Sequence, residues 1–390
     1  MRAIAACSIV VFHVWLFGDP NGRVELGPIA ARILPHLSLG VTLFFTLSGF
    51  LLYRPYAAAI LSDQPLPSVR MYAANRLLRI FPAYWTILLI TGIVLGAVRL
   101  RMGVNDLVIG SLVTQPRVLL ENALLLQGYR PGAFLTGIGP AWSLIIELAF
   151  YAVLPLLALT GAFTARRSRA PRANFRGALL PPLCMLGVGV AGRGLSLLLD
   201  PNPTNPGWAG DWHSVLIHSL LGKADLFCWG MLLAVLHVHL GGDGSRLPRM
   251  WRIGALAGAG MLTLLAVAVA GTIGTIRWHA YDMTMGFVCA LVLAAVVLAR
   301  QGSWLVWALE LRVVTAVGLA SYSLFLWHEP LIWWLREHEL TWPEGTGMVL
   351  NLGVVGALSG TASALSYFGV ERPILRRKRA MPTADRNTAQ

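Results

Sequence analysis

Ten apolar runs, most of them close to the roughly 20 residues that cross a bilayer as a helix, follow one another along this chain with only short polar links between them. The first ends at Phe17, and the others lie at about 38–60, 81–98, 139–160, 179–199, 214–238, 253–276, 283–299, 313–335 and 346–370. Backbone polar groups facing lipid must be satisfied within the segment or by a closed barrel, and runs of this length select helices. The expected fold is therefore all-α, a polytopic membrane helix bundle of about ten transmembrane helices. Charged residues make up 13% of the sequence, half the roughly 25% of a soluble domain, which excludes an ordinary cytosolic enzyme. The net charge of +13 on so apolar a chain marks cytoplasmic loops of a membrane protein, and no nucleic-acid partner is expected. Cys7, Cys184, Cys228 and Cys289 each sit in an apolar run without ligand-like spacing, so neither a disulfide framework nor a metal site is expected. No small-residue cleavage pattern follows Phe17, and the first run is read as a retained helix rather than a signal.

Arginine placement sets the sidedness, since short basic loops stay in the cytoplasm. With the first run starting inside, the loop 54–80 puts Arg54, Arg70, Arg76 and Arg79 on the inner side. The stretch 107–126 is apolar too, but it is preceded by Asp106 and contains Pro116, Arg117 and Glu121. If it spanned, the loop 161–178 with Arg166, Arg167, Arg169, Arg172 and Arg176 would land outside. Leaving it out places that loop inside, the loop 200–213 without a basic residue outside, Arg246, Arg249 and Arg252 inside, Glu337, Glu339 and Glu344 outside, and the tail RRKR at 376–379 inside. Both termini are then cytoplasmic. Residues 99–138 become an outward-facing segment, re-entrant or interfacial, which fits a surface-lying amphipathic helix as well as a substrate lid.

An ionisable side chain within a span costs roughly 2.5–3.5 kcal/mol on insertion scales, so each one marks a functional position. Arg2 and His13 are eleven residues apart on the first run, about 16 Å along the axis and within about 20° of the same face. This places Arg2 near the inner surface and His13 in the outer third. Glu147 lies roughly 12 Å below the start of its run at 139, at a depth overlapping that of His13, so the two are expected to meet. A carboxylate beside an imidazole orients it for general-base work; the same pair also suits a structural contact or a proton relay in a transporter. His328 and Glu329 reach the outer third as well, next to Pro330, which is expected to break the helical ladder. Asp225 is expected near mid-membrane with Lys223 as its partner, a structural ion pair. Trp142 and Tyr151 also fit interfacial aromatics. Arg76 and Arg79 share a helix face. Two guanidinium forks together suit phosphate, and they equally satisfy the positive-inside pattern. No internal repeat or matched pair of broken helices, the mark of inverted-repeat transporters, is visible.

Taken together, RAIAACSIVVFH at 2–13, LFFTLSGFLLYR at 43–54, NRLLRIFPAYW at 75–85, WSLIIELAFYAVLP at 142–155, SYSLFLWHEPL at 321–331 and FGVERPILRR at 368–377 resemble acyltransferase family 3. These are bacterial integral membrane O-acyltransferases that acylate O-antigen, peptidoglycan, exopolysaccharide, nodulation-factor and macrolide acceptors. The stretches keep the family's order and cover nearly the whole chain.

The resemblance implies O-acyl transfer from a thioester donor, usually acetyl-CoA, to a hydroxyl. The family's Arg-then-His motif falls on Arg2 and His13, with His13 catalytic. Its Arg-x-x-Arg motif falls on Arg76 and Arg79, implicated in handling the donor, and its acidic residue falls on Glu147. Donor phosphates are then expected against Arg76, Arg79 and Arg2. His13, assisted by Glu147, would deprotonate an acceptor hydroxyl or carry the acyl group briefly. Ser48, Trp142, Ser143, Tyr322 and His328 are the candidate pocket or oxyanion groups.

No cofactor is expected to stay bound, acyl-CoA being a co-substrate. The partners are acyl-CoA, a hydroxyl-bearing sugar, glycan or macrolide, and the bilayer of the inner membrane. The chemistry is expected to finish within residues 1–371, with 372–390 a polar basic cytoplasmic tail. The sequence opens one residue before the motif arginine, without the polar residues that precede it in the family. Lys223 replaces a favoured arginine, and Glu329 replaces the usual tryptophan after the histidine, which is expected to tune the acceptor pocket. A proton-coupled transporter built on Glu147, His13 and Asp225 is the alternative from another class, and a non-catalytic sensor or scaffold is a third.

Overall fold

The computed structural model describes residues 1–19, 21, 26–102, 107–168, 172–199, 210–242, 249–270, 275–299 and 303–380. Most of the loop 200–213, expected to face outward, and the end of the tail, 381–390, lie outside the described residues. The chain is a helix bundle: α1 (Arg2–Phe17), α2 (Pro28–Ile33), α3 (Gly40–Leu61) and α4 (Val69–Leu89) precede a short hairpin of β1 (Val98–Met102) and β2 (Leu107–Gly110). Then come α5 (Pro116–Ala123), α6 (Trp142–Arg167), α7 (Ala173–Leu199), α8 (Trp212–Ile217), α9 (Leu220–His239) and α10 (Arg249–Ala270). The last are α11 (Thr275–Val297), α12 (Trp304–Glu310), α13 (Arg312–Glu337), α14 (Glu344–Ser366) and α15 (Arg372–Ala380). Among the described residues eight helices are long and apolar enough to span a membrane. The α12–α13 pair, bent by 60°, gives a ninth, and α1 is a shorter apolar helix. These coincide with the ten apolar runs of the sequence.

The segment expected not to span does not. Within 99–138 the hairpin is antiparallel, and α5 is only eight residues long. Backbone bonds run both ways between Arg99 and Gly137, at 3.0 and 2.7 Å, which fold the hairpin onto the entry to α6. Tyr84 and Trp85 of α4 donate to the carbonyls of Asn122 and Ala123, each at 2.8 Å, docking the end of α5. Contacts at the two ends of the bundle agree with the loop grouping read from the arginines. Arg166 pairs with Asp63 at 3.3 Å, so the loops around 54–80 and 161–178 share one end. At the other end Arg336 donates to the Phe17 carbonyl and Asn351 to that of Gly18, both at 3.1 Å.

Small residues let the central helices cross closely. A Cβ at Gly230 of α9 would meet the backbone of Thr46 and Phe50 on α3, and one at Gly49 would meet the backbone of Phe227. Packing of this kind, rather than hydrophobic exclusion, drives helix association in lipid. The buried core around this crossing includes Phe45, Phe50, Phe150 and Phe227.

A buried ionic network joins α7, α9 and α11, and it corrects the expected Lys223–Asp225 pair. Lys223 Nζ binds Asp282 at 2.7 Å, while Arg193 bridges Asp225 at 3.0 Å and Asp282 at 2.9 Å. Two residues apart on a helix means about 200° around its axis, so Lys223 and Asp225 turn to different neighbours. Each charge has an opposite partner, which makes the network a structural clamp. Removing one member of a buried pair typically costs about 3–5 kcal/mol, whereas an exposed pair contributes about 0–1 kcal/mol. Asp282→Ala is therefore expected to lower the thermal stability of the purified protein sharply. Arg117→Ala, which breaks the exposed pair with Glu121, should leave the midpoint nearly unchanged. Equal, small shifts in both variants would show that the network is not a structural clamp.

Candidate active site

Two polar clusters lie against α1, one toward each end. Toward Phe17, His13 Nδ1 and His328 Nε2 are 2.7 Å apart. The rings are within 15° of coplanar with centroids 5.0 Å apart, so they meet edge to edge rather than face to face. One proton lies between them, and the surrounding network assigns it. His328 Nδ1 is 3.1 Å from the Leu324 carbonyl, which only accepts, so His328 holds its proton on Nδ1 and offers Nε2 as a lone pair. His13 Nδ1–H donates to that lone pair. Neutral His13 is then left with an unprotonated Nε2, for which no hydrogen-bond partner is present among the described residues. The His13 side chain is 15% exposed and that of Glu329 only 2%, so the imidazole is the member of the cluster a reactant reaches.

Glu329 closes the Nδ1 side of His13. One carboxylate oxygen is 3.7 Å from Nδ1, and the other accepts from Arg99 Nη2 at 2.5 Å, Arg99 Nε at 2.6 Å and Trp333 Nε1 at 3.0 Å. The Arg99 guanidinium lies over the rings of Phe17 and Trp333, at 5.0 and 5.4 Å from their centroids. A carboxylate behind Nδ1 and a free lone pair on Nε2 is the arrangement that makes histidine a base and holds the imidazolium that results.

Toward Arg2, a cavity of about 90 Å³ is lined by Arg2, Ser48, Arg76, Arg79, Glu147, Tyr151 and Tyr322 among others. Ser48 Oγ donates to one Glu147 oxygen at 2.5 Å and the Tyr151 hydroxyl to the other at 2.9 Å. The Tyr322 hydroxyl donates to the Ile80 carbonyl at 2.9 Å, which joins α13 to α4. Among the described residues none of the three arginines forms an ion pair. Three guanidinium groups facing a cavity with a single carboxylate in its wall favour an anion there.

The structure thus gathers Arg2, Arg76, Arg79, Ser48, Tyr322 and Glu147 at one end of α1, and His13 and His328 at the other. It does not bring Glu147 to His13, as expected from depth. The reason lies at the start of α6: a Cβ on Gly139 would collide with the Glu329 carboxylate. Residue 139 is therefore already level with His13's partner rather than at the surface, and Glu147, about 12 Å further along, falls among the arginines. Tyr151 is buried on Glu147 rather than interfacial. Trp142 packs edge-on against His218 at 4.7 Å, and Ser143 donates to its own helix at Pro140, 3.0 Å away; neither lines the cavity. Helix α13 runs through Pro330 without a break. Arg99 was missed as a site residue. The available signal was an arginine in a segment assigned outside, where charge bias disfavours it unless it has a buried partner.

The family model described as an acyltransferase domain matches residues 1–367. The chain belongs to this acyltransferase family. ExoZ of Rhizobium meliloti, named as an exopolysaccharide production protein, is 26% identical over 87% of this chain and 90% of its own length. BcsY of Komagataeibacter xylinus, whose name describes a membrane-bound transacylase, is 25% identical over 99% of this chain and 84% of its own length. YrhL of Bacillus subtilis, whose name describes a peptidoglycan O-acetyltransferase, is 25% identical over 96% of this chain, which spans 54% of that longer protein. No solved structure matches. The protein is a multi-pass membrane acyltransferase.

The two carboxylates of this acyltransferase are separable by experiment. Glu329→Gln keeps the size of the side chain and removes the charge facing His13, so kcat is expected to fall at least about tenfold with little change in donor KM. Glu147→Gln is expected to act mainly on donor KM. The reverse pattern would return Glu147 to His13's side.

Proposed function

We propose that this acyltransferase moves an acetyl group from acetyl-CoA to a hydroxyl of a cell-envelope or exported carbohydrate, with His13 as the general base. The observation that carries the reading is the bare Nε2 of His13, held by His328 and backed by Glu329, on the same helix as an arginine that lines an anion cavity. The Arg2 end faces the cytoplasm, where the donor is made, and the His13 end faces outward in the inner membrane. Arg2, Arg76 and Arg79 hold the donor's phosphates. The roughly 16 Å between Arg2 and His13 along α1 is spanned by the donor's pantetheine arm.

The chemistry is a proton shuttle at one nitrogen. As the acceptor oxygen attacks the thioester carbonyl carbon and forms the new C–O bond, its proton passes to His13 Nε2. The imidazolium is stabilised by Glu329 through Nδ1. Collapse of the tetrahedral intermediate breaks the C–S bond, and the leaving sulfur takes the proton back from Nε2, so that free thiol and ester are the products. Arg99 shares the Glu329 carboxylate and fixes its orientation, and the hairpin that carries Arg99 forms part of the acceptor-side wall. The acceptor class is supported by the names of ExoZ and YrhL, which concern exopolysaccharide and peptidoglycan. No bound cofactor or metal takes part in this scheme.

Purified protein in nanodiscs, given acetyl-labelled CoA and either exopolysaccharide oligomers or peptidoglycan fragments, is expected to release CoA thiol and place label in an alkali-labile ester. General-base catalysis contributes about 10²–10⁴-fold, and His13→Ala should lose a factor in that range while still inserting normally. Wild-type turnover in His13→Ala would contradict the assignment. Proton-coupled solute uptake with no label transfer would put the relay reading in its place.

A further inference from the structure

Two helix stripes run on from the arginine cavity toward the link between α3 and α4. On α4, Tyr72, Arg76 and Arg79 stand at i, i+4 and i+7, one face of the helix. On α3, Ser48, Leu52 and Tyr56 stand at i, i+4 and i+8. Ser48, Leu52, Arg76 and Arg79 line the cavity itself, and the two tyrosines lie a turn or so beyond it on the same faces. The Tyr56 and Tyr72 rings meet edge to face, with centroids 5.9 Å apart, and the Arg76 guanidinium sits 6.0 Å from the Tyr72 centroid.

Three polar atoms in this corner are buried without a protein partner: the hydroxyls of Tyr56 and Tyr72 and Nε of Arg76. Tyr56 is 1% exposed. Elsewhere in the bundle buried tyrosine hydroxyls are spent on the protein, those of Tyr53 and Tyr84 on the carbonyls of Ala178 and Asn122. A buried donor without an acceptor carries a desolvation penalty, and most buried polar groups in folded proteins have a partner. Three such donors on adjoining residues, two neutral and one cationic, next to a cavity already walled by two further guanidinium groups, share one complement: an oxyanion with several acceptor oxygens.

We propose that Tyr56, Tyr72 and Arg76 form a phosphate subsite for the nucleotide end of the acyl donor. This rests on the reading of the donor as acyl-CoA and goes further by naming where one phosphate is bound and by which atoms. Both hydroxyls and Arg76 Nε–H donate to its oxygens, while Arg2 and Arg79 supply charge nearer the reacting end. The subsite selects a donor by its phosphorylated handle rather than by its acyl group. It therefore discriminates CoA thioesters from thioesters on unphosphorylated carriers.

The test compares two donors in the nanodisc protein, acetyl-CoA and S-acetylpantetheine, which has the same thioester and arm but no phosphate. Tyr56→Phe and Tyr72→Phe remove only the hydroxyls. Since these are unpartnered in the free protein, the thermal midpoint should not fall. For acetyl-CoA each variant is expected to raise KM about tenfold, the scale of a lost hydrogen bond to a charged group, with kcat within about twofold. For S-acetylpantetheine the variants and wild type should share one KM. If Arg76→Ala raises the acetyl-CoA KM and neither tyrosine variant does, the donor reading stands and the subsite is refuted. KM increases that are equal for both donors would likewise refute a phosphate contact. If wild type uses neither donor, the acyl-CoA reading itself fails, and the subsite with it.

Discussion

The hydrogen bond from His13 to His328 sets the rotational phase of α1, and both polar clusters along that helix depend on that phase. Ala6, Val10 and Val14 of α1 pack with Leu324, Ile332 and Leu335 of α13, an apolar seam that could tolerate some slippage. The imidazole pair does not: a turn of α1 by one residue is about 100° and takes His13 off His328. With His13 fixed, eleven residues of helix return Arg2 to nearly the same face, against α3, α4 and α6. The same bond decides the chemistry at its own end, because an acceptor on Nδ1 is what leaves Nε2 free as a base.

Charge is arranged around this axis by partnering rather than by count. At the His13 end Arg99 is neutralised by Glu329 and lies over two aromatic rings. Among the described residues of α7, α9 and α11 every buried charge has its opposite. At the Arg2 end three half-buried arginines face a cavity and, among the described residues, form no ion pair with a carboxylate. The net charge of +13 does not by itself distinguish these three arginines; their place in a cavity wall without an ion-pair partner does.

The helices themselves were legible in the sequence, since runs of about 20 apolar residues leave lipid-spanning backbone one solution. Exclusion of 107–126 was legible as well, from where it would have sent Arg166 and its neighbours. What sequence could not show was depth. Counting from residue 139 assumes that a helix starts at the surface, and α6 does not, because glycine at 139 lets the chain approach Glu329 closely. That single offset moved Glu147 from His13 to the arginines. Pairings between distant segments were hidden for the same reason: nothing local in α9 says that Lys223 faces Asp282 of α11, or in β1 that Arg99 reaches Glu329 of α13. Identity of residue type marked the important positions, and only packing said which belonged together.

The claim on which all else rests is that one short helix carries both ends of the reaction, the donor's anionic end at Arg2 and the transferred group at His13. The most direct measurement is an experimental structure of the protein with a non-hydrolysable acetyl-CoA analogue. Phosphate density is expected against Arg2, Arg76 and Arg79, with the carbonyl carbon in reach of an acceptor oxygen placed by His13 Nε2, roughly 3–3.5 Å between reacting atoms. Phosphates bound at the His13 end, or a carbonyl far from Nε2 with the phosphates in place, would contradict that claim.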